Sequence, residues 1–399
     1  MFFYLSFLRP PPLQTSPSGS ISITPQIAND LRTELFAGEQ DIYYAWSADT
    51  PPNGRASTFP CISKPQKLTT WRKSSAYKEL AVPLPPGIRE GQSFRLVLTA
   101  HSSGNPHVVN LAGATLGERP FPVLSMPILF SSRLSAKAGS STMGKQEQVE
   151  RVYRIAAGSG DQLFLHVKEQ TSFDLDKKVW DSGIGLSSWI ASLAQARPSD
   201  SAPLVDNLLD ILMSREPRNI VELGAGTGIV SLTVGALRAA IPSSSNGGCI
   251  LTTDLPSAMP LLVHNIAENE ALFRSTSTRP RALVLDWDDE QLPNEVSAVV
   301  SDLDLILMAD VTYNTSSFPS LVRTLSALTG AHREQAGDET GIATRLKSPS
   351  ILLGYKERDS SERILWNMVR EIGIVFEQVG ERVGSGGEAV EFWIGHVSR

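Results

Sequence analysis

The sequence predicts an α/β fold: a doubly wound sheet of seven strands with an antiparallel last strand, preceded by a partly ordered, β-containing N-terminal extension. Three observations carry this reading. Residues 219–228, NIVELGAGTG, form an apolar run, then a tight glycine turn, and an apolar helix follows at 229–240. Strand-like and helix-like segments then alternate, the pattern of a mostly parallel sheet covered by helices. Finally, 374–383 and 389–397 flank Gly384 to Gly387 and read as a closing hairpin, which makes the last strand antiparallel.

Taken in order, residues 1–23 are rich in proline and serine and are expected to lack a core of their own. The opening MFFYLSFLRPPPL has no basic n-region, so a signal peptide is not expected; it reads as an arm packed on the body or disordered. Thr24 as cap and Pro25 at the first helical position predict a helix over 25–35. Four prolines within 47–66 suggest a loop or linker, and 93–100 (SFRLVLTA) alternates as a half-buried strand does. The small, polar 134–147 stretch reads as a linker. The domain boundary is therefore expected at 147/148, with an extension of unassigned role before it. A hairpin at 148–157 and 161–170 opens the second domain. Helical spacing follows in 179–196 and 202–213. Past the glycine turn the expected strands are 249–254, 282–287, 304–310 and 350–357, with helices at 257–273, 316–328 and 361–373 and a polar loop at 331–349.

Composition excludes several function classes. The chain has 399 residues, 41% apolar and 20% charged, with a formal net charge of −6, which leaves no broad basic face for DNA. Two cysteines, Cys61 and Cys249, build neither a disulfide framework nor a zinc site, so no metal is expected and a reducing compartment is the default. No apolar run approaches the ~20 residues of a membrane span. The expected locations are the cytoplasm and, second, the nucleus, with the chain acting as a monomer.

In doubly wound folds a ligand sits beyond the carboxyl ends of the strands, at the switch point. The polar residues there are the candidates. Gly224, Gly226 and Gly228 follow the first strand, and Ile229 stands where a dinucleotide fingerprint needs its third glycine. Glu222 closes that strand and either fixes an amino group of a ligand or braces the loop. Asp254 closes the second strand, placed to accept from a ribose diol or to cap the following helix. Asp286 and Trp287 close the third, placed to bind a purine amine and its face, or to cap a short following helix and fill the core. Asp310 closes the fourth, followed by Val311, Thr312 and Tyr313.

The pattern E-x-G-x-G-x-G at 222–228, the acid at 254, LDW at 285–287 and ADVTY at 309–313 resembles the seven-strand S-adenosylmethionine-dependent methyltransferases, with their Rossmann-like fold. More narrowly it is similar to the methyltransferase-like protein-lysine methyltransferases, methyltransferase family 16. VWDSGIGLSSWI and His264-Asn265-Ile266-x-x-Asn269 add to the resemblance, which covers about 148–399. It implies S-adenosyl-L-methionine as cofactor, held by Trp180, Glu222, Gly224, Gly226, Gly228, Asp254, Asp286, Trp287 and Ala309. It implies lysine as acceptor, because Asp310-Val311-Thr312-Tyr313 matches D-x-x-[YF] and lacks the prolines of [ND]-P-P-[YF] enzymes. Asp310 would hold the amine, Tyr313 would wall the lysine channel, and Trp180 would pack over the methionine end of the cofactor. Partners implied are a chaperone, a AAA ATPase or a translation factor. Transfer to a small molecule or another protein nitrogen, and a non-catalytic cofactor-binding role, remain the alternatives.

Overall fold

A computed structural model describes residues 1–49, 60–133, 144–156, 162–172, 174–195, 202–241, 247–330 and 348–398. It divides into two compact units: Met1–Arg154 with Gln162–Lys178 and Gly384–Gly387, and Ile155–Asp161 with Val179–Val383 and Glu388–Arg399.

The second unit is built on β1 (Asn219–Leu223), β2 (Cys249–Asp254), β3 (Pro280–Val284), β4 (Leu303–Ala309), β5 (Ser350–Tyr355), β6 (Ile374–Arg382) and β7 (Val390–Val397). They lie in the order β3-β2-β1-β4-β5-β7-β6, with β1 to β5 parallel and β7 antiparallel to both β5 and β6. The expected seven-stranded sheet is thus present, closing hairpin included. The order reverses at β1 and β4, so the carboxyl ends of these two strands define the switch point. β1 and β4 run almost wholly buried, as central parallel strands covered on both faces must.

The longer helices among the described residues are α1 (Asp181–Gln195), α2 (Pro203–Leu212), α3 (Ile229–Ala239), α4 (Met259–Glu268), α5 (Phe318–Thr329) and α6 (Ile364–Glu371). One core joins β1, β4 and β5 to α5 and α6 through Val221, Ile306, Met308, Leu325, Ile351, Leu365 and Val369. α1 is lined with small residues and lies close against the sheet. A Cβ on Gly354 of β5 would stand 3.1 Å from the Ser182 carbonyl, and that approach sets the start of α1 beside the end of β5.

The first unit is all β with short 3₁₀ turns, in sheets of three and nine strands. It corrects the expectation that residues 1–23 lack a core of their own. Met1, Phe3, Leu5 and Phe7 are buried core residues, packed with Ile21, Ile23, Trp46 and Phe130. The expected helix at 25–35 is instead the strand Ile21–Ala28, paired antiparallel with Tyr4–Arg9. Pro25 lies opposite Phe7 beside a register shift, where a strand tolerates the missing N–H. The expected strand at 93–100 is found at Gln92–Thr99. The hairpin at 148–170 belongs with this first unit rather than opening the second. Its first strand pairs with Val108–Asn110 and Val123–Ser125, so the unit boundary falls after Lys178 and not at 147. The hairpin's turn, most of the 134–147 linker and most of the 331–349 loop lie outside the described residues.

Candidate active site

The site assembles at the carboxyl ends of β1, β2 and β4. β1 runs into a turn in which Gly224, Gly226 and Gly228 all take left-handed backbone angles, φ +64°, +53° and +81°. Only glycine adopts these without strain. A side chain would also collide: a Cβ on Gly224 would lie 2.9 Å from Val311 Cγ1 and 3.4 Å from the Trp287 ring, and one on Gly228 2.6 Å from Leu262. The turn is tied from both sides. The Gly226 N–H donates to Asp254 Oδ2 at 2.6 Å, and Asn265 Nδ2 donates to the Thr227 carbonyl at 3.0 Å. Asn265 of the helix motif therefore holds the turn, whereas His264 lies on the exposed face of α4 near Glu268.

Asp254 does not cap α4, which starts at Met259 with Ala258 as its N-cap. Its Oδ1 accepts from the Leu255 N–H at 2.7 Å as a local cap while Oδ2 braces the glycines. Asp286 braces a turn and caps no helix: its Oδ1 accepts from the Asp288 N–H, and the next helical residues, Asn294–Ser297, have Pro293 as N-cap. β3 ends at Val284, two residues short of Asp286, so Asp286 and Trp287 stand in the loop beyond it. The Trp287 ring is partly buried and packs against the core next to Gly224. Leu255 and Val284, 43% and 44% exposed, present apolar surface at the same ends of β2 and β3.

Glu222 is buried, and its Oε2 has no hydrogen-bond partner among the described residues. Burial pushes its carboxyl up to about 8; Ser231 opposes the shift and the charge of Asp254 adds to it. The neutral form is the one the folded chain prefers. Its contribution to stability is therefore full below the ordinary value of 4.5 and is lost as pH rises through about 8. Glu222→Gln should flatten the fall in melting temperature of the ligand-free chain across that window, and an unchanged slope in the variant would refute this origin.

The second half of the site gathers around Asp310. It follows β4, is buried, and takes a left-handed backbone with φ +58°, strained for a residue with a side chain. Its Oδ2 accepts from the Ser182 N–H at 2.8 Å, in the first turn of α1, where free amides and the helix dipole favour an anion. Its Oδ1 accepts from Arg358 Nη2 at 2.7 Å. The same guanidinium lies over the Trp180 ring, 4.9 Å from its centroid. Trp180 in turn stacks on Tyr313, with centroids 6.3 Å apart and planes within 6°. Tyr313 is 52% exposed, so this stack faces solvent at its outer end. Beside it Lys356 Nζ pairs with the buried Asp181 carboxylate at 2.8 Å. Ala309, partly exposed, is the last residue of β4 and lies opposite Gly354 of β5.

The structure thus brings Trp180, Asp310 and Tyr313 together, and separately joins Glu222, the glycines, Asp254 and Trp287. Val311 links the two groups by its approach to Gly224. Arg358, Ser182 and the Lys356–Asp181 pair did not emerge from the sequence. The polar run Tyr355-Lys356-Glu357-Arg358 closing the fifth strand was the available signal, under the same strand-end rule that picked out Asp310. Among the described residues no group of His, Cys, Asp and Glu could hold a metal, and no helix is long and apolar enough to cross a membrane.

Comparison with known proteins bears on this geometry. A family profile described as lysine methyltransferase matches residues 159–371. The chain is 30% identical over 199 residues to the protein-lysine N-methyltransferase EFM6 of Saccharomyces cerevisiae, covering 48% of this chain and 71% of that protein. It is 34% identical to the EEF1A lysine methyltransferase 3 of Xenopus tropicalis, over 28% of this chain and 42% of that one. For the Mus musculus protein of the same name the identity is 34%, over 37% and 59%. The chain therefore spans about half the length of these last two relatives.

Proposed function

The chain belongs to the lysine methyltransferase family, and from that premise we propose that it methylates the side-chain amine of a lysine in a partner protein, at the carboxyl end of β4. The observation that carries the placement is the Trp180–Tyr313 stack and buried Asp310 standing next to the glycine turn.

The cofactor is S-adenosyl-L-methionine, and the residues present suit it. The glycine turn is a cradle that a single Cβ would fill, Glu222 has a buried oxygen without a partner, and Leu255 and Val284 offer apolar surface. In this reading Asp254 holds the ribose, Trp287 and the 286–288 loop face the base, and Glu222 and Ala309 lie toward the methionine end. When bound there, S-adenosyl-L-methionine would supply an activated methyl group for a nitrogen lone pair, the sulfur keeping the electron pair of the broken C–S bond.

The work of the chain itself is chiefly orientation. Tyr313 and Trp180 form the wall along which an aliphatic lysine stem lies. Asp310, fixed by Ser182 and Arg358, accepts a hydrogen bond from the neutral amine and aims its lone pair. Asp310 is assigned here as an orienting group rather than a general base, held on both oxygens by Ser182 and Arg358; the acceptor's proton goes to water. Two features beyond the family are part of the proposal: action as a single chain, and a translation factor as partner, with EEF1A named in two relatives as what they methylate. Action in the cytoplasm is proposed with them. The test is labelling of a cell lysate with methyl-labelled S-adenosyl-L-methionine. Methyl-lysine in a protein band is expected after hydrolysis. Label confined to small molecules, or to another residue type, would overturn the acceptor assignment.

A further inference from the structure

Resting on the reading of Asp310 and Tyr313 as the acceptor site, we infer that Arg358 is a positioning residue that keeps Asp310 from trapping the incoming lysine as an ammonium ion. The chemistry sets the problem. Lysine in water is protonated, with a reference pKa of ~10.4, and the ammonium has no lone pair to give. A bare carboxylate at the acceptor position would stabilise that unreactive form, because an opposite charge nearby favours the charged state. The carboxylate of Asp310 is not bare. Arg358 sits on Oδ1 at 2.7 Å, with its own side chain only 12% exposed, so the local dielectric does little to mute the pair. The guanidinium also covers the Trp180 face. An arriving amine meets a neutralised pair rather than a lone anion, so its protonated form gains no stabilisation from Asp310. The neutral amine still finds an oriented acceptor.

The other charged groups around the pair are engaged in ion pairs of their own. From α1 and β5, Asp181 and Lys356 neutralise each other at 2.8 Å. Glu357 from the turn after β5 and Glu391 from β7 hold Arg363, each at 2.8 Å. Glu362 accepts from the Arg358 N–H at 3.3 Å and is pushed toward its neutral form, first by burial. From the segment after β4, the Tyr313 phenol is uncharged at neutral pH.

The loop carrying Arg358 is anchored on both sides, as a positioning group requires. Lys356 is pinned to Asp181 on one side. On the other, the Arg363 guanidinium lies over Tyr355, Trp366 and Trp393, at 4.7, 5.2 and 5.8 Å from their ring centroids. These cation–π contacts leave Arg358 little freedom to swing from Asp310.

The experiment uses the full chain, labelled S-adenosyl-L-methionine and a cell lysate, with initial rates of methyl-lysine formation from about pH 6.5 to about 9.5. Arg358→Met is expected to lose about tenfold in rate at neutral pH and to recover as pH rises, its midpoint moved up by about one unit. Arg358→Lys, which keeps the cation, should keep the midpoint within about half a unit. Melting temperatures provide a readout without turnover. The Asp310→Asn/Arg358→Met double variant should melt above Arg358→Met, because the uncompensated buried carboxylate is gone. A loss in Arg358→Met of the same factor at every pH would overturn the inference and leave lysine as the acceptor. A wild-type chain that forms no methyl-lysine would overturn both.

Discussion

Asp310→Ala is expected to lower methyl transfer by at least about 100-fold while the cofactor still binds. The reasoning runs through geometry. The carboxylate joins the first turn of α1, through Ser182, to the loop after β5, through Arg358. Removing it takes away the acceptor that orients the amine and releases the guanidinium that covers Trp180, so the channel wall and the nucleophile lose their alignment together. An in-line transfer that depends on placement is sensitive to shifts of an ångström. The glycine turn, Asp254 and Glu222 are left in place, which is why calorimetry should report a cofactor affinity near that of the wild type. The substitution also strands a buried cation, at a cost of about 3 kcal/mol of stability. Should that unfold the chain, Asp310→Asn keeps an acceptor oxygen for one of the two partners and removes the charge. Undiminished transfer in a folded Asp310→Ala chain would remove Asp310 from the site.

Gly226→Arg should abolish cofactor binding, with affinity down by at least about 100-fold in calorimetry. Two effects combine. The backbone at φ +53° is left-handed and costs a side-chain-bearing residue roughly 1–2 kcal/mol. The Gly226 N–H is also the donor to Asp254, so any relaxation of the strain pulls on the carboxylate that closes β2. The new guanidinium adds a long cation beside a cradle whose neighbours leave no room for a Cβ at Gly224 or Gly228. Retained affinity would place the cofactor elsewhere.

How legible this was from the sequence depended on how local the determinants are. β1 and β2 were read to the residue, because buried parallel strands are unbroken apolar runs with clear turn signals at their ends. β3 was read two residues late. It is an edge strand beginning at Pro280, and the apolar Leu285 and Trp287 that drew the reading onward belong to the loop packed on the core. The N-terminal half misled for a sharper reason. Thr24-Pro25 carries a helix-start signal, but the partner that makes this segment a strand is Tyr4–Arg9, and pairing between distant segments leaves no local periodicity. The same contrast holds in the site. Asp310 was visible as the acid ending a strand. Arg358 was not, because 48 residues separate it from Asp310 and only the neighbouring of β4 and β5 brings them together.

The left-handed backbone at Asp310 carries an evolutionary meaning. Glycine or asparagine would sit there with less strain, so selection for stability alone pulls this position away from aspartate. It also pulls away from arginine at 358 once the carboxylate is gone, since a buried cation without its counter-ion is a burden. The two positions are therefore inherited as one character. In lineages descended from this chain that give up methyl transfer, decay should begin at this pair and change both members together, well before the glycine turn erodes.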